Sequence, residues 1–460
     1  MFDRFDACNL DPSVKLFKGV VGTPGFAVAP VLQYRPGMNV PGGGEMGWPK
    51  CILIADDLTP ADTANLDSQS IAGFCTARGG PISHVVQVAY GLGLPTIVAG
   101  GSDLLDIPDG TVCALDGGAG ILYTDMQGDD LATALSFQPP SVEASDGALT
   151  APERDGVAPG MPTVMGTVLQ TRQIPDVLAE GASGVGLLAT ELFFLGKEKE
   201  FLEEEKQYSL YMEVAVALKG NPIVLRTLDI GGDKEIASLG IEPEDNSFLG
   251  VRGIRLTLRR SDLFVPHLRA IYRAARDSQG QFKIMFPMIS TVEEFQRAAQ
   301  LSEEIRTELG APKVPLGVMV EVPSAALVAD HFAEHVDFFS IGTNDLTQYV
   351  LAMGRTNTDL AADIDPLHPA VSRTVRLVTE AAEAAGKPVS ACGGLAADPT
   401  GAVVLAALGA TSITVAAPMI RSVRRFLASV PSGALHAIRQ EALNVGGFPH
   451  MREFVRDVVG

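Results

Sequence analysis

The feature that most constrains the fold is a regular alternation of short apolar segments with longer amphipathic segments, which begins near residue 163. Eight of the apolar segments have the length and composition of buried strands. They are TVMGTVL (163–169), GVGLLA (184–189), PIVLRT (222–227), KIMFPM (283–288), GVMVEV (317–322), DFFSIG (337–342), VSACGG (389–394) and SITVAA (412–417). Eight strands with intervening helices over roughly 300 residues predict a (β/α)8 barrel, with an open doubly wound sheet as the alternative.

The N-terminal part of the chain has a different, more compact pattern. Residues 17–34 predict a strand pair broken by a Thr-Pro-Gly turn, and a Gly/Pro-rich loop follows at 35–49. Shorter apolar runs occupy 51–55, 71–76, 95–100 and 111–117, and a helix is predicted over 83–93. These elements predict a mixed α/β domain over 1–125. Residues 126–162 lose periodicity and are rich in Pro, Ser, Asp and Gly, which is typical of a linker or a partly exposed connecting helix. The barrel domain is then 163–460.

The charge and composition narrow the classes of partner. The chain has 460 residues and a formal net charge of −20, which argues against nucleic acid or an anionic membrane as a partner. The five cysteines form no CxxC pair, and no uninterrupted apolar stretch reaches the roughly 18 residues of a membrane span. The N-terminal residues contain no apolar run, so we expect no signal peptide and a cytoplasmic location.

Polar residues follow several predicted barrel strands, at the end where barrels of this type carry their active sites. Arg226, Glu321, Asn344, Asp345 and Cys392 all occupy such positions. Taken singly, a carboxylate there is more often a helix cap, and a cysteine in an apolar strand is usually part of the core. Their recurrence predicts a Mg2+ site at Glu321 and Asp345. Arginines are the residues best suited to bind an anionic substrate, and the candidates are Arg226, Arg252 and Arg355.

A second candidate site lies in the N-terminal domain, in the segment GGPISHVV (79–86). Two glycines allow a tight turn, after which Ser83 and His84 open the predicted helix. The N-terminus of a helix stabilises an anion, so a phosphoryl group on a ring nitrogen of His84 would be favoured there. The alternative is a histidine that merely caps the turn.

Several longer segments resemble one family, Enzyme I of the phosphoenolpyruvate–sugar phosphotransferase system, together with pyruvate phosphate dikinase and phosphoenolpyruvate synthase. The resemblance covers about residues 18–425. It is carried by LTPADTANL (58–66), GGPISHVVQVAYGLGLPTIV (79–98), GASGVGLLATELFFL (181–195), LRTLDIGGDKE (225–235), FLGVRGIRL (248–256), KIMFPMIS (283–290), GVMVEVPSAA (317–326), FFSIGTNDLTQY (338–349) and ACGGLAADP (391–399).

The resemblance implies a swivelling phosphohistidine domain followed by a phosphoenolpyruvate-binding barrel. It implies that His84 accepts the phosphoryl group and that Cys392 protonates the enolate to give pyruvate. Substrate would be bound by four residues, namely Arg226, Arg252, Asn344 and Arg355. Glu321 and Asp345 would bind Mg2+. The phosphoryl group would then pass to an acceptor protein or small molecule, and the enzyme would be a homodimer.

Four departures from the family pattern qualify this expectation. Only about fifteen residues separate the strand before Arg35 from Cys51, where Enzyme I has a helical subdomain that docks the carrier protein HPr. Ala189 stands where the family has an arginine that contacts the substrate phosphate. Ile82 precedes Ser83-His84 where the family usually has threonine. On the helix that follows, Tyr90 takes the place of a common arginine. Gly394 replaces a glutamate after Cys-Gly.

These departures leave three hypotheses. The first is a phosphotransferase with an acceptor other than HPr docked in the usual way. The second is a regulatory paralogue that binds phosphoenolpyruvate or pyruvate with little turnover. The third is a dikinase-like core that works with a separate ATP-grasp subunit. The other histidines, among them His267, fall in helical stretches of mixed polarity, and we expect them at the surface or at caps.

Overall fold

A computed structural model of the chain forms two compact units, which are described separately below. The first comprises 1–151 together with 353–364, and the second comprises 152–352 and 365–460. The structure describes residues 10–35, 38, 50–58, 62, 69–137, 161–194, 202–232, 239, 244–431, 433–446 and 450–459. Parts of the predicted Gly-rich loop, of LTPADTANL, of LRTLDIGGDKE and of the linker lie outside these residues. The predicted domain boundaries stay predictions.

The first unit is built on one eight-stranded mixed sheet in the order β1-β8-β7-β3-β4-β5-β6-β2. Its strands are β1 (Lys15–Lys18), β2 (Val20–Thr23), β3 (Phe26–Gln33), β4 (Cys51–Ala55), β5 (Ile71–Thr76), β6 (Thr96–Val98), β7 (Val112–Asp116) and β8 (Ile121–Thr124). The strands β3 to β6 run parallel to one another, and the remaining pairs are antiparallel.

The apolar run of β4 shows why this sheet is buried on both faces. Cys51, Leu53 and Ala55 belong to one apolar cluster, whereas Ile52 and Ile54 belong to another. Successive strand residues point to opposite faces, so an uninterrupted apolar run requires cover on both sides. Helix α1 (His84–Leu92) supplies Val85 and Ala89 to the first cluster.

The N-terminal strands differ from the expectation of a simple pair over 17–34. Gly19 separates β1 from β2, so three strands replace two. A Cβ at Gly19 would lie 2.7 Å from the Val98 carbonyl oxygen, which leaves room only for glycine. Strand β8 was not predicted, because the four residues Ile121–Thr124 are too few to establish a periodicity.

The Gly79–Gly80 turn before α1 packs against the segment 353–364 of the same unit. The Gly79 amide donates to Thr358 Oγ1 at 3.3 Å. A Cβ at Gly80 would come within 2.8 Å of the Arg355 carbonyl oxygen, so this close approach of two backbones needs a glycine. Within the stretch assigned to the linker, helix α2 (Gly128–Ser136) packs Ala134 in a cluster with Tyr123.

The second unit is a closed barrel of eight parallel strands, and this confirms the predicted fold class. The strands are β9 (Thr163–Val168), β10 (Val185–Ala189), β11 (Pro222–Arg226), β12 (Gln281–Phe286), β13 (Leu316–Val320), β14 (Phe338–Gly342), β15 (Val389–Cys392) and β16 (Ser412–Val415). Each pairs with its sequence neighbour, and β16 closes the barrel against β9. The open doubly wound sheet is therefore excluded.

Helices follow the barrel strands in the usual alternation. They are α3 (Ile174–Ala179), α4 (Glu204–Leu218), α5 (Ile254–Thr257), α6 (Ser261–Asp277), α7 (Val292–Glu308), α8 (Pro323–Leu327), α9 (Ala329–Ala333), α10 (Thr343–Leu351), α11 (Pro369–Ala384), α12 (Gly394–Ala397), α13 (Pro399–Leu408), α14 (Ala417–Ser429), α15 (Ala434–Leu443) and α16 (Met451–Val459). In the part of the chain that the structure describes, no helix is both long and apolar enough to cross a membrane.

Candidate active site

Arg226 is the last residue of β11, and its guanidinium is held by acidic side chains. It forms a buried ion pair with Glu191, which lies just beyond the end of β10, and its Nη1 is 3.5 Å from Asp229 Oδ2. Burial alone would lower the pKa of Arg226, but the negative charges of Glu191 and Asp229 outweigh this effect and raise it. Arg226 therefore stays charged although it is buried.

Arg252 is fully buried and lies beside the same carboxylate. Its Nε and Nη2 donate to the two oxygens of Asp229, each at 3.1 Å, and its Nη1 donates to Asp345 Oδ1 at 2.7 Å. A bidentate pair of this kind fixes the plane of the guanidinium. Asp229 thus connects Arg226 and Arg252, the two substrate arginines predicted for this unit.

Glu321 follows β13 and is buried at the same end of the barrel. Its Oε1 accepts a hydrogen bond of 2.7 Å from the Met288 amide. Met288 has a φ of +57°, a conformation that a bulky residue rarely adopts and that presents its amide to the carboxylate. Burial, followed by the charges of Asp345 and Asp229, raises the pKa of Glu321 to about 8.

The loop after β14 and the loop after β15 are joined by hydrogen bonds between Asn344, Gly394 and Cys392. The Gly394 amide donates to Asn344 Oδ1 at 2.8 Å, and Thr343 Oγ1 donates to the Cys392 carbonyl oxygen at 2.7 Å. The Cys392 thiol donates to the Ile341 carbonyl oxygen at 3.6 Å. Burial raises the pKa of Cys392 to about 12, so the group is a thiol at neutral pH and retains a proton to donate.

The charges of this cluster do not balance. Two guanidiniums interact with four carboxylates, which are those of Glu191, Asp229, Glu321 and Asp345. When all four are ionised, two negative charges are in excess. A divalent cation would neutralise this excess. The raised pKa of Glu321 reflects the free energy that it costs to ionise the Glu321 carboxyl when no cation is bound.

The donor set also fits the predicted metal. Among the described residues, no group of three or more histidine, cysteine or carboxylate side chains is arranged to hold a metal ion. Glu321 and Asp345 would contribute two carboxylates and leave the other positions to substrate oxygens and water. Mg2+ favours few protein carboxylates and retains several other oxygen ligands.

The other two predicted site residues belong to the first unit. His84 is the first residue of α1, directly after Ser83, whose hydroxyl is buried and has no hydrogen-bond partner. Arg355 is buried and lies in the segment 353–364. The structure therefore brings together six of the predicted residues in the barrel, namely Arg226, Arg252, Glu321, Asn344, Asp345 and Cys392, and it describes His84 and Arg355 within the other unit.

Sequence reasoning missed Asp229 and Glu191. Both lie in segments that carry the family resemblance, LRTLD and ATELFF, but neither was given a role. The spacing of Asp229 three residues after Arg226, beyond a strand end, was the available signal. It was weak, because a carboxylate in such a place is ordinarily a helix cap.

Two family models match the chain. The PEP-binding domain of PEP-utilising enzymes matches residues 157–432, and the mobile domain of PEP-utilising enzymes matches 47–120. The barrel unit carries the first match except for 353–364, which belongs to the mixed-sheet unit, and the mixed-sheet unit carries the second match.

Similar proteins carry two kinds of name. Multiphosphoryl transfer proteins of Xanthomonas campestris and Rhodobacter capsulatus are each 46% identical, over 85% and 81% of this chain. The chain spans only 47% and 45% of their length. The phosphoenolpyruvate-protein phosphotransferase of Geobacillus stearothermophilus is 37% identical over 88% of this chain and 71% of that protein. The chain thus belongs to the family of PEP-utilising enzymes, with phosphoenolpyruvate-protein phosphotransferases among its relatives.

Proposed function

We propose that this protein transfers the phosphoryl group of phosphoenolpyruvate to His84, releases pyruvate and passes the group on to an acceptor. The observation that carries the proposal is the buried cluster at the end of the barrel strands. There Arg226 and Arg252 are held in fixed orientation beside Glu321 and Asp345. Preorganised positive charge of this kind stabilises a phosphoryl group during transfer.

In the proposed reaction, a ring nitrogen of His84 attacks phosphorus, and the bond from phosphorus to the enol oxygen breaks. Arg226 and Arg252 bind the phosphate and carboxylate oxygens of the substrate, and Asn344 and Arg355 supply further contacts. Glu321 and Asp345 would hold Mg2+, which supplies charge neutralisation when it is bound. The thiol of Cys392 gives its proton to the methylene carbon of the enolate, which completes pyruvate and leaves a thiolate.

The metal and substrate roles can be tested by single-turnover release of pyruvate from phosphoenolpyruvate and Mg2+. Glu321→Gln removes a proposed metal ligand with little change in volume, and we expect the pyruvate burst to be lost. Glu304→Gln changes an exposed glutamate of α7 and should leave the burst intact. A wild-type protein that forms no pyruvate, or a burst that survives in Glu321→Gln, would contradict the proposal.

A second function is favoured by Ala189, which pairs with Arg226 on the neighbouring strand and offers no charge. Loss of one preorganised charge donor costs about 3 kcal/mol in the transition state. A barrel that binds phosphoenolpyruvate or pyruvate and signals with little turnover would tolerate this loss. Tight calorimetric binding of phosphoenolpyruvate with no pyruvate burst would favour this sensor function.

We further propose that the acceptor does not dock in the usual manner of HPr, and that two barrels form a homodimer. Only about fifteen residues lie where the docking subdomain of the family would stand. Leu327 at the end of α8 is 71% exposed and adjoins Val328, which is apolar surface that a second copy would cover. Phosphorylation of candidate carrier proteins and sedimentation of the intact chain test these two points.

A further inference from the structure

The segment 353–364 is the part of the first unit that comes from a distant place in the chain. It stands between two stretches of the barrel unit, 152–352 and 365–460, yet it packs within the first unit. In the chain it follows α10, whose first turn carries Asn344 and Asp345 of the proposed site. The segment also contains Arg355, a proposed substrate ligand.

The backbone of this segment turns with a repeat of three residues. The Asn357 amide donates to the Gly354 carbonyl oxygen at 3.0 Å, and the Ala361 amide donates to the Thr358 carbonyl oxygen at 3.2 Å. In a backbone with hydrogen bonds of this spacing, residues three apart lie above one another. Arg355, Thr358 and Ala361 therefore share one face of the segment.

This face contacts the Gly79–Gly80 turn at all three positions. The Gly79 amide donates to Thr358 Oγ1 at 3.3 Å. A Cβ at Gly80 would lie 2.8 Å from the Arg355 carbonyl oxygen and 3.8 Å from Ala361 Cβ. Arg355 and Ala361 are each only 1% exposed. The turn and the segment are therefore in close contact through both backbone and side-chain atoms.

The same turn sets where helix α1 begins. The Ser83 amide donates to the Gly80 carbonyl oxygen at 3.0 Å, and His84 is the first residue of α1. The Ser83 side chain does not cap the helix, because its buried hydroxyl has no hydrogen-bond partner. The position of the His84 backbone thus depends on the turn, and the turn is held by Thr358 through Gly79.

We propose that the segment 353–364 is the docking surface that orients His84 for phosphoryl transfer, and that Thr358 is a positioning residue in it. The proposal rests on the proposed function and names residues that function did not use. Transfer in line requires the nucleophile to be placed accurately, so a displaced turn slows the reaction even when substrate is bound. A merely structural role of Thr358 implies lower stability without a slower transfer.

The first test is Thr358→Val, which removes the hydroxyl and keeps the shape of the side chain. The rate at which the full chain gains a phosphoryl group is followed by intact mass at several concentrations of phosphoenolpyruvate with Mg2+. We expect the saturating rate to fall about 2- to 10-fold, the range that loss of one hydrogen bond produces, while the half-saturating concentration stays unchanged.

Two variants control for this substitution. Thr358→Ser keeps the hydroxyl and should restore the wild-type rate. Thr356→Val makes the same change at an exposed threonine of the same segment and should have no effect. A change confined to the half-saturating concentration in Thr358→Val would contradict a role in placing His84.

Gly80 gives a second measurement that does not involve the hydroxyl. Its φ lies outside the left-handed region, so alanine suits the backbone, and the closest atom to the added methyl is the Arg355 carbonyl oxygen. Gly80→Ala must push the turn and the segment apart, and we expect the saturating rate to fall at least about tenfold. Gly118→Ala is the control, because a Cβ there makes only an ordinary contact of 3.4 Å with Asp116 Oδ1.

Amide hydrogen exchange separates this proposal from the proposed function, because it needs no substrate. We expect the Gly79 amide to exchange about 2- to 10-fold faster in Thr358→Val than in the wild type or in Thr356→Val. If phosphoenolpyruvate never phosphorylates the wild type, the proposed function fails, and the exchange still decides whether Thr358 holds the turn. Unchanged exchange, or an active wild type whose saturating rate survives in folded Thr358→Val and Gly80→Ala, would overturn the inference.

Discussion

At the scale of single residues, the barrel site depends on one carboxylate that interacts with two arginines. Asp229 accepts two hydrogen bonds from Arg252 and lies 3.5 Å from Arg226, and none of its surface is exposed. Removing one partner from a buried network of charges leaves the others uncompensated. The orientation of both arginines therefore depends on Asp229 even though the proposed reaction gives it no direct contact with substrate.

We predict that Asp229→Asn lowers the free energy of unfolding by about 3 kcal/mol and kcat/KM for phosphoenolpyruvate by about a hundredfold. Denaturant unfolding and steady-state pyruvate release measure the two effects. Asp262→Asn is the control, because Asp262 pairs with Arg260 at a largely exposed position, where such a pair contributes little. Equal behaviour of the two variants would contradict a special role for Asp229.

We predict that Ala189→Arg raises kcat/KM for phosphoenolpyruvate by about a hundredfold, because it adds a cation beside Arg226 in a site with excess negative charge. Ala189→Met has a long uncharged side chain at the same position and should give no gain. Pyruvate release by folded protein is the measurement. A folded arginine variant no faster than the methionine variant would show that the missing charge does not limit the reaction.

At the scale of elements, the buried contact between α4 and α6 makes stability depend on pH. His267 on α6 was expected at the surface, and this expectation was wrong: it is fully buried, and its Nδ1 lies 2.8 Å from Gln207 Oε1 on α4. Burial lowers the pKa of His267 from 6.5 to about 3. Between these values the unfolded chain binds a proton that the folded chain does not, so stability falls as pH falls below 6.5. We predict that between pH 6.5 and 4.5 the wild type loses roughly 2–3 kcal/mol more than His267→Gln.

Urea unfolding of both proteins at several pH values checks this prediction. If the free energy of unfolding depends on pH equally in the wild type and in His267→Gln, His267 is protonated in the folded protein, which contradicts its lowered pKa.

The turn after β15 carries a second prediction at this scale. Gly393 has a φ of +100°, and a Cβ there would collide with Thr343 Oγ1 and come within 2.9 Å of Asn344 Oδ1. We predict that Gly393→Ala lowers the free energy of unfolding by about 2 kcal/mol. Gly354→Ala is the control, since nothing lies within 4 Å of a Cβ at that position. Thermal unfolding compares them, and equal losses would contradict the strain.

The elements that could be predicted from the sequence are those whose periodicity is strong. All eight barrel strands were predicted to within a few residues, because buried parallel strands are continuous apolar runs between amphipathic helices. Polar residues at the strand ends then identified the barrel part of the site. Asp229 and His267 were missed for one physical reason: Arg252 lies 23 residues from Asp229 and Gln207 lies 60 residues from His267, on other elements, and single-residue patterns do not report such contacts.

At the scale of the whole molecule, the chain combines two compact units that match the mobile and PEP-binding domains of one enzyme family. We propose that the unit containing His84 moves between the barrel and the acceptor.

The most direct test of the central claim is the intact mass of the protein after incubation with phosphoenolpyruvate and Mg2+, measured under alkaline conditions that preserve phosphohistidine. We predict the gain of one phosphoryl group, dependent on Mg2+, present in His331→Ala and absent in His84→Ala. No gain by the wild type, or the same gain by His84→Ala, would contradict the assignment of His84 as the phosphoryl carrier.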